Sequence, residues 1–459
     1  MRTMHDASDL RDLLKYELAQ RRESGFELGT SEAAATQALD DASGPDDERL
    51  LAHLDRLEAS RRAADWPFAE IDAASEQVQL ARSSRPARQP PSAEELGDRV
   101  LGAWLGRCAG CLLGKPVEGW TADEIRRYLE HADAWPLDGY VPALDPHPTN
   151  SPPMKASWPE ATRGAVDGMA RDDDLDYTVV GLLLLERTGG EPTANDVAAE
   201  WLARLPAGLT YTAERAAYRN LLLGLLPPRS AWHRNPYREW IGALIRADAY
   251  AYTSPGDPMR AAELAARDAS VSHVGNGVAA AMWAAAMISL ALVGVPPSES
   301  VPAAAELVPP GSRLHVTLRH VIDLHRAGGP WEESLRRVMA ANEQYGWVHA
   351  IPNAAIIAGS LLWGARDYER SVTLAVAAGC DTDSNGATVG SAAGALVGAR
   401  RLPRAWIEPL HDTLRTSVAG LGSARISDLA ERTVRLARRR PTQEIFGQPD
   451  PTAADRSPA

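Results

Sequence analysis

A run of small residues near the C-terminal end places the strongest constraint on how this chain can fold. From Gly386 to Gly398 every residue except Leu396 is Gly, Ala, Ser, Thr or Val. A helix built from such residues has no polar face to turn to water, and other elements can approach its backbone on every side. We therefore predict that this helix lies in the protein interior and holds the side chains at its start rigidly.

The segment directly before this run is rich in oxygen ligands. Asp381, Asp383 and Ser384 supply two carboxylates and a hydroxyl within four residues. Such hard oxygen ligands suit Mg²⁺ or Mn²⁺. Asp and Ser are also preferred at helix N-caps, so this segment alone leaves a metal site and an ordinary cap both open.

A second acidic cluster favours the metal site. Asp172, Asp173 and Asp174 precede a strongly apolar segment, residues 179–185, which predicts a buried helix. Carboxylates at the start of a buried helix are costly unless they are neutralised, and the helix dipole contributes only about 0.3–1 kcal/mol for each. Two divalent ions between the two helix starts would neutralise both clusters.

The apolar periodicity along the chain predicts an all-α protein, because no stretch shows the sustained alternation that is typical of a strand. We expect a helical N-terminal extension and linker over residues 1–92, a compact multi-helix domain over residues 93–440 and a disordered tail over residues 441–459. Segments with helical periodicity lie near residues 96–113, 194–205, 211–225, 237–250, 258–270, 275–294, 311–328, 330–343, 353–364, 367–378, 384–398, 403–418 and 425–439.

The extension carries no chemical motif, and its leucine spacing predicts two helices. Leucines at positions 10–18 and again at positions 50–57 have helical spacing, and the intervening residues 29–47 predict a loop. Packing against the domain or contact with another subunit is the expected role of this extension.

The net charge and the choice of basic residues carry information about partners and origin. The net charge of −13 argues against nucleic acid or an anionic membrane as a main partner. Of the 48 basic residues only Lys15, Lys115 and Lys155 are lysine. Such an arginine bias is typical of a GC-rich bacterial genome.

The three cysteines and the most apolar segment have structural explanations. Cys108 and Cys111 have the spacing of a redox pair, but no βαβ pattern surrounds them, so we interpret them and Cys380 as packing thiols. Residues 278–293 are short and alanine-rich, which predicts a buried core helix rather than a membrane span. The N-terminus lacks an apolar segment, and we expect a cytoplasmic protein.

Three motifs in order resemble the ADP-ribosylglycohydrolase family. They are Gly110–Glu118, Asp172–Asp174 and Asp381–Ser384, and the resemblance covers roughly residues 97–400. It implies an all-α fold and a binuclear site for two Mg²⁺ ions, with Mn²⁺ as an alternative. The metal ligands that it implies, with Asp172 as an added possible ligand, are Asp172, Asp173, Asp174, Asp381, Asp383 and Ser384.

The resemblance also implies catalytic residues and shows where this chain departs from the family. The implied catalytic residues are Glu118, Asp174 and Asp383, with Glu118 at the rim of the site. Cys111 stands where the family usually has an aspartate, and Asp172 and Leu175 stand where many members have threonine. Ser384 replaces the usual threonine and keeps the hydroxyl. These differences suggest a subgroup whose substrate need not be an ADP-ribosylated protein.

Polar and aromatic residues within apolar surroundings are candidates for substrate binding. His349 and Asn353 lie about one helical turn apart, one segment before the Asp381 motif. His273 and Asn276 form a second such pair, and Tyr177 follows the Asp172 cluster. For the histidines and for Tyr177, a role in core packing is the alternative.

Together these features predict a Mg²⁺-dependent hydrolase. It would cleave an N- or O-glycosidic bond at the anomeric carbon of a ribosyl group, in a small-molecule or ADP-ribosylated substrate. One alternative is an N-glycosidase that acts on a nucleoside-like metabolite. The other is a non-catalytic, crystallin-like binding or structural protein, since a fold alone does not establish catalysis.

Overall fold

Helices make up almost all of the regular structure, which confirms the all-α prediction. The computed structural model describes residues 9–41, 46–81, 87–155 and 158–439, so the tail predicted from residue 441 lies outside the described residues. The α-helices are α1 (Leu10–Glu23), α2 (Thr30–Asp40), α3 (Asp47–Glu58), α4 (Ala74–Ala81), α5 (Ala93–Gly114), α6 (Ala122–His131), α7 (Asp173–Arg187), α8 (Ala194–Arg204), α9 (Thr212–Leu222), α10 (Arg229–Trp232), α11 (Asp248–Tyr252), α12 (Pro258–Ala269), α13 (Gly275–Ala291), α14 (Pro297–Ala305), α15 (Arg313–Arg326), α16 (Trp331–Ala340), α17 (Ala350–Gly364), α18 (Tyr368–Ala377), α19 (Thr382–Val397), α20 (Arg404–Ile407) and α21 (Ile426–Arg438). The strands β1 (Thr413–Arg415) and β2 (Ser423–Arg425) form a short antiparallel hairpin.

The backbones of α5 and α19 lie in direct contact because both helices carry glycine at every fourth position of the shared face. The facing pairs are Gly102 with Gly394, Gly106 with Gly390 and Gly110 with Gly386. A Cβ added to any of these glycines would overlap a backbone carbonyl of the other helix. Such close approach permits Cα–H···O contacts, worth about 0.5–1 kcal/mol each. The run of small residues is thus an interior helix, as predicted, and residues 382–396 are all buried.

This contact continues beyond the helix ends and fixes the segment after α5 against the segment before α19. Thr382 Oγ1 donates a hydrogen bond to the Gly114 carbonyl at 2.7 Å. The Gly119 N–H donates to the Cys380 carbonyl at 2.9 Å, and the Cys380 N–H donates to the Trp120 carbonyl at 3.0 Å. Glu118 is therefore held beside the start of α19, although the two segments are far apart in sequence.

Helix α13 lies at the centre of the core. All 17 of its residues are buried, and its neighbours in the core include alanine-rich α12. The core helix predicted over residues 278–293 is thus confirmed, and it ends at Ala291. Within the described ranges, no helix is both long and apolar enough to cross a membrane.

The N-terminal helices pack on the domain through a separate apolar cluster. Leu14 of α1 and the leucines of α3 cluster with Tyr237 and Trp240 of the domain. Beside this cluster the Glu17 carboxylate binds the Arg238 guanidinium at 2.6 Å, and both side chains are buried. The extension is thus packed against the domain, and the division of the chain into these two units remains a prediction.

Three predicted segments are wrong in part. Residues 29–47 contain α2 rather than only a loop, because this stretch is rich in alanine, the strongest helix former. Residues 237–250 form mainly a 3₁₀-helix, Ile241–Arg246, followed by α11. Residues 403–418 do not form one helix, because Pro409 lacks an N–H and the chain then continues into β1.

Candidate active site

The starts of α7 and α19 meet, and the Ser384 hydroxyl donates a hydrogen bond to the Asp174 carboxylate at 3.2 Å. We call the residues around the start of α7 the α7 half; they are Arg107, Cys111, Lys115 and residues 172–174. The α19 half consists of Glu118, Asp381 and Asp383. The two acidic clusters that the sequence singled out therefore belong to one site.

In the α7 half, Asp172 is bound by the protein itself. One of its carboxylate oxygens accepts from the Asp174 N–H at 3.0 Å and so caps α7. The other accepts from the Lys115 ammonium, which also donates to the Arg171 carbonyl at 3.1 Å. Burial alone would raise the pKa of Asp172, but Lys115 and this backbone N–H hold the pKa below its usual range. Asp172 is a neutralised carboxylate.

Asp174 is joined to the core by a buried arginine. The Arg107 guanidinium lies 3.4 Å from Asp174 Oδ1 and 2.9 Å from Asp248 Oδ2, and all three side chains are buried. Burial and the charge of Asp172 raise the pKa of Asp174 well above its usual range, despite this arginine. Asp173, at the first residue of α7, is less buried, and burial together with Asp172 raises its pKa to about 8.

Cys111 lies within the α7 half rather than in apolar packing alone. Its sulfur and one carboxylate oxygen each of Asp172 and Asp174 lie within 4.8 Å of one another. Burial and the two carboxylates raise the pKa of this thiol well above its usual range. The three cysteines carry no disulfide, in agreement with their interpretation as thiols.

In the α19 half the carboxylates face one another. Asp381 occupies the N-cap position of α19, yet its side chain caps no backbone N–H in the described part of the chain. Instead, one carboxylate oxygen each of Glu118, Asp381 and Asp383 lies within 4.8 Å of the other two. The Asp381 N–H donates to Asn353 Oδ1 at 3.2 Å, which fixes the backbone and leaves the carboxylate to the cluster.

The pKa values of the α19 half are raised by burial and by repulsion from other carboxylates of the site. Burial and the charge of Asp172 raise the pKa of Asp383 to about 6. Burial and the charge of Asp383 raise the pKa of Glu118 to about 7 and that of Asp381 well above its usual range. This half of the site is short of positive charge, and its hard oxygen atoms fit a divalent cation.

The rim of the site adds a cation and an aromatic ring. Lys155 Nζ lies 3.2 Å from Glu118 Oε1 and 5.3 Å from the centre of the Trp347 ring. The Glu118 side chain is 25% exposed and the Lys155 side chain 39%, so this pair is open to solvent. Glu118 therefore joins the buried carboxylates to the surface.

Of the predicted substrate residues, Asn353 lies next to the α19 half. Its Oδ1 accepts from the Asp381 N–H and, at 2.7 Å, from Asn385 Nδ2. Its Nδ2 donates to the carbonyls of Trp347 and His349 at 2.8 and 2.9 Å. Because every polar atom of this amide is engaged, Asn353 holds the start of α19 in place.

His349 and Asn276 are also bound within the protein. His349 caps α17 by accepting from the Ile351 N–H at 3.2 Å, and its ring stacks on Tyr345 with centroids 4.3 Å apart. Burial lowers the pKa of His349 to about 3. Asn276 donates to Glu239 at 2.9 Å and to a glutamate of the N-terminal extension. Both residues thus connect structural elements.

Tyr177 and His273 lie in the core around Arg246. The Tyr177 ring packs against Trp201 at 5.5 Å, and the Arg246 guanidinium lies over it at 5.4 Å. His273 bonds Ser272 Oγ through Nδ1 at 2.8 Å, and burial lowers its pKa well below the usual range. Their roles in substrate binding remain predictions.

Three cations of the site were missed at the sequence level. Arg107 belongs to none of the sequence motifs, and only the packing of α5 on α7 places its guanidinium beside Asp174. Lys115 and Lys155 carried a signal, since they are two of only three lysines in a chain with 48 basic residues. Both of them contact a carboxylate of the site.

A sequence model of the ADP-ribosylglycohydrolase family matches residues 92–443, which include both helix starts and Glu118. The chain belongs to the ADP-ribosylglycohydrolase family. Among solved structures, the chain is similar to one titled "ADP-ribosylglycohydrolase-related protein complex". The alignment covers 75% of this chain and 99% of the other chain, with 23% sequence identity and a TM-score of 0.48. A comparison with curated proteins found no match.

Membership of the ADP-ribosylglycohydrolase family confirms that the protein is an enzyme, since members of this family are hydrolases. It is a glycohydrolase of the ADP-ribosylglycohydrolase type. The family is metal-dependent and acts on ADP-ribosylated substrates. The acidic groups of the two halves are the candidates for the metal ligands in this member.

Proposed function

We propose that this protein is a Mg²⁺-dependent hydrolase that cleaves the N- or O-glycosidic bond at the anomeric carbon of a ribosyl group in an ADP-ribosyl-type substrate. One observation carries the proposal: two buried helix starts bring together more carboxylates than the cations around them neutralise. The starts touch through Ser384 and Asp174. Because burying unpaired charge is unfavourable, a bound cation accounts for this arrangement.

Mg²⁺ is the proposed ion, with Mn²⁺ as its substitute, because the available ligands are hard oxygen atoms. The proposed ligands with oxygen atoms open to such an ion are Asp173, Asp174, Asp381, Asp383 and Ser384. When bound, the ion orients the ribose hydroxyls and lowers the pKa of a water molecule. The sequence predicts two ions and includes Asp172 among the ligands, and in the α7 half such an ion would compete with Lys115 for Asp172.

Glu118 is the proposed proton donor to the leaving group. Of the three carboxylates in the α19 half it is the one at the rim, where its side chain is 25% exposed and within reach of a substrate. Asp174 and Asp383 are the proposed residues that accept a proton from the attacking water. Their negative charge also stabilises the positive charge that develops on the ribose ring in an oxocarbenium-like transition state.

The rim supports a substrate that has charged and planar parts. The Lys155 ammonium can pair with a phosphate oxygen, and the Trp347 ring can stack on a base. Both side chains lie beside Glu118, so a substrate that contacted them would place its glycosidic bond near the carboxylates. Asn353 supports the same region by fixing the backbone of Asp381.

Hydrolysis assays with two classes of substrate test this proposal. We expect release of ADP-ribose from an ADP-ribosylated arginine peptide or an ADP-ribosyl ester in Mg²⁺ and no release in EDTA. Purified Asp383→Asn protein controls for contaminating activity. Hydrolysis of plain nucleosides alone would favour the N-glycosidase alternative. A folded, metal-loaded protein that hydrolyses neither class would contradict the proposal.

A further inference from the structure

The α7 half already contains a buried side-chain cation that is bound between two of its oxygen atoms. Lys115 follows α5 directly, is only 6% exposed, and its ammonium lies against Asp172 Oδ2 and the Arg171 carbonyl. The other oxygen of Asp172 is engaged by the Asp174 N–H. Both oxygens of Asp172 therefore have protein partners.

The charge balance differs between the two halves. In the α7 half, Asp172 is paired with Lys115, and Asp174 lies beside Arg107, which it shares with Asp248. In the α19 half, three carboxylates converge, and within the described chain their side-chain ion pair is the solvent-exposed one between Lys155 and Glu118. Asp173 and Asp174 also have raised pKa values. The buried cations Lys115 and Arg107 nevertheless lie in the α7 half, and within the described chain no buried ion pair involves the α19 carboxylates.

We propose that Lys115 is a built-in cation that takes the place of the second divalent ion, so that the site binds one divalent cation, at the α19 half. This inference rests on the proposed metal-dependent function and specifies its stoichiometry. An ion that bound through Asp173 and Asp174 would be repelled by the Lys115 ammonium, whose charge also acts on Asp173. An ion that took Asp172 as a ligand would have to remove the ammonium from it. That would leave a buried ammonium without its carboxylate, which is strongly unfavourable.

The choice of lysine in this chain supports the proposal. Of the 48 basic residues only three are lysine, so arginine is the ordinary basic residue of this sequence. Lysine presents a compact point charge with three donors, whereas arginine is a broad planar fork. A point charge between a carboxylate and a carbonyl oxygen resembles a small metal ion more closely than a guanidinium does. Lysine at position 115 is therefore suited to this role.

Manganese binding to the wild-type protein is the first test. Metal-free protein is titrated with Mn²⁺ by calorimetry, and its electron paramagnetic resonance spectrum is recorded at saturation. We expect one Mn²⁺ per chain and the six-line spectrum of an isolated ion. Two ions per chain with a spin-coupled spectrum would overturn this inference and leave the proposed function standing. No binding at all would overturn both.

A lysine variant with a matched control is the second test. Lys115→Met keeps the length of the side chain and removes the charge, and Lys15→Met removes an exposed lysine of the N-terminal extension. We expect Lys115→Met to bind a second Mn²⁺ and to gain more thermal stability from Mn²⁺ than the wild type, and Lys15→Met to behave like the wild type. A Lys115→Met protein that still binds one ion would overturn the role of Lys115. If this variant does not fold, the Mn²⁺ stoichiometry and the spectrum of the wild-type protein still show whether the site binds one ion or two.

Discussion

The two halves of the acidic site have similar carboxylates but differ in the partners of the aspartate that precedes each helix. In the α7 half, Asp172 caps its helix and pairs with Lys115, and Asp174 lies beside Arg107. In the α19 half, Asp381 occupies the same cap position, but its carboxylate faces two others instead of a backbone N–H in the described structure. The same residue type at the same helix position therefore performs two different tasks.

The pKa values reflect this difference. Lys115 holds the pKa of Asp172 below its usual range, whereas burial and Asp383 raise the pKa of Asp381 well above it. A motif of aspartates at a helix start therefore does not by itself say which carboxylates bind a metal. The partners of each carboxylate determine whether it is available to a metal ion, and four substitutions test that conclusion.

The largest expected effect is loss of turnover in Asp383→Asn. This substitution removes a negative charge from the α19 half, where the divalent ion is proposed to bind, so we expect activity to fall below detection. Folding should be retained, because removing one of several buried like charges can be neutral or stabilising. Turnover assays and circular dichroism on the same preparation check this. Wild-type activity in Asp383→Asn would contradict a metal role for this half.

Glu118→Gln separates proton transfer from metal binding within the α19 half. If Glu118 protonates the leaving group, kcat should fall by roughly 10²–10⁴-fold while Mn²⁺ affinity changes little. Steady-state kinetics and a Mn²⁺ titration measure both quantities. A loss of Mn²⁺ affinity would instead make Glu118 a ligand. A change in KM with kcat retained would make it a residue of substrate access.

Asp172→Asn tests the α7 half through stability. This substitution leaves the buried Lys115 ammonium without its carboxylate, and breaking a buried ion pair costs about 3–5 kcal/mol of unfolding free energy. Asp383→Asn is the matched comparison, since both changes replace an aspartate at a helix start by asparagine and only Asp172→Asn should lower stability. Denaturant unfolding in EDTA measures the unfolding free energy of both variants. Equal stabilities of the two variants would show that the halves do not differ in charge balance.

The fold class and both acidic clusters could be predicted because they depend on local patterns. Glycine, alanine and serine in residues 386–398 require an interior helix, and aspartates before an apolar segment mark a buried helix start. The fourfold spacing of Gly102, Gly106 and Gly110 was also present in the sequence. It indicates a close helix contact but does not name the partner helix, which is α19.

The partners of the carboxylates could not be predicted, because they depend on tertiary contacts. Lys115 and Asp172 are 57 residues apart, and only the packing of α5 against α7 joins them. Asn353 was predicted to contact substrate from its position near the Asp381 motif. The structure shows all of its polar atoms bound within the protein, which no local pattern reveals.

The smallest expected effect belongs to Lys155→Met and separates the two lysines of the site. Lys155 pairs with Glu118 at 3.2 Å, as Lys115 pairs with Asp172, but its side chain is 39% exposed. Exposed ion pairs contribute about 0.2–1 kcal/mol, so the unfolding free energy should change by less than about 1 kcal/mol. If Lys155 binds a substrate phosphate, KM should rise while kcat and Mn²⁺ stoichiometry stay unchanged.

Mn²⁺ stoichiometry compares the two lysines directly, because both contact a carboxylate of one acidic site. A second Mn²⁺ in Lys155→Met would show that the removal of either lysine charge lets a second metal ion bind. One Mn²⁺ in Lys155→Met and two in Lys115→Met would show that only the buried lysine excludes a second metal ion.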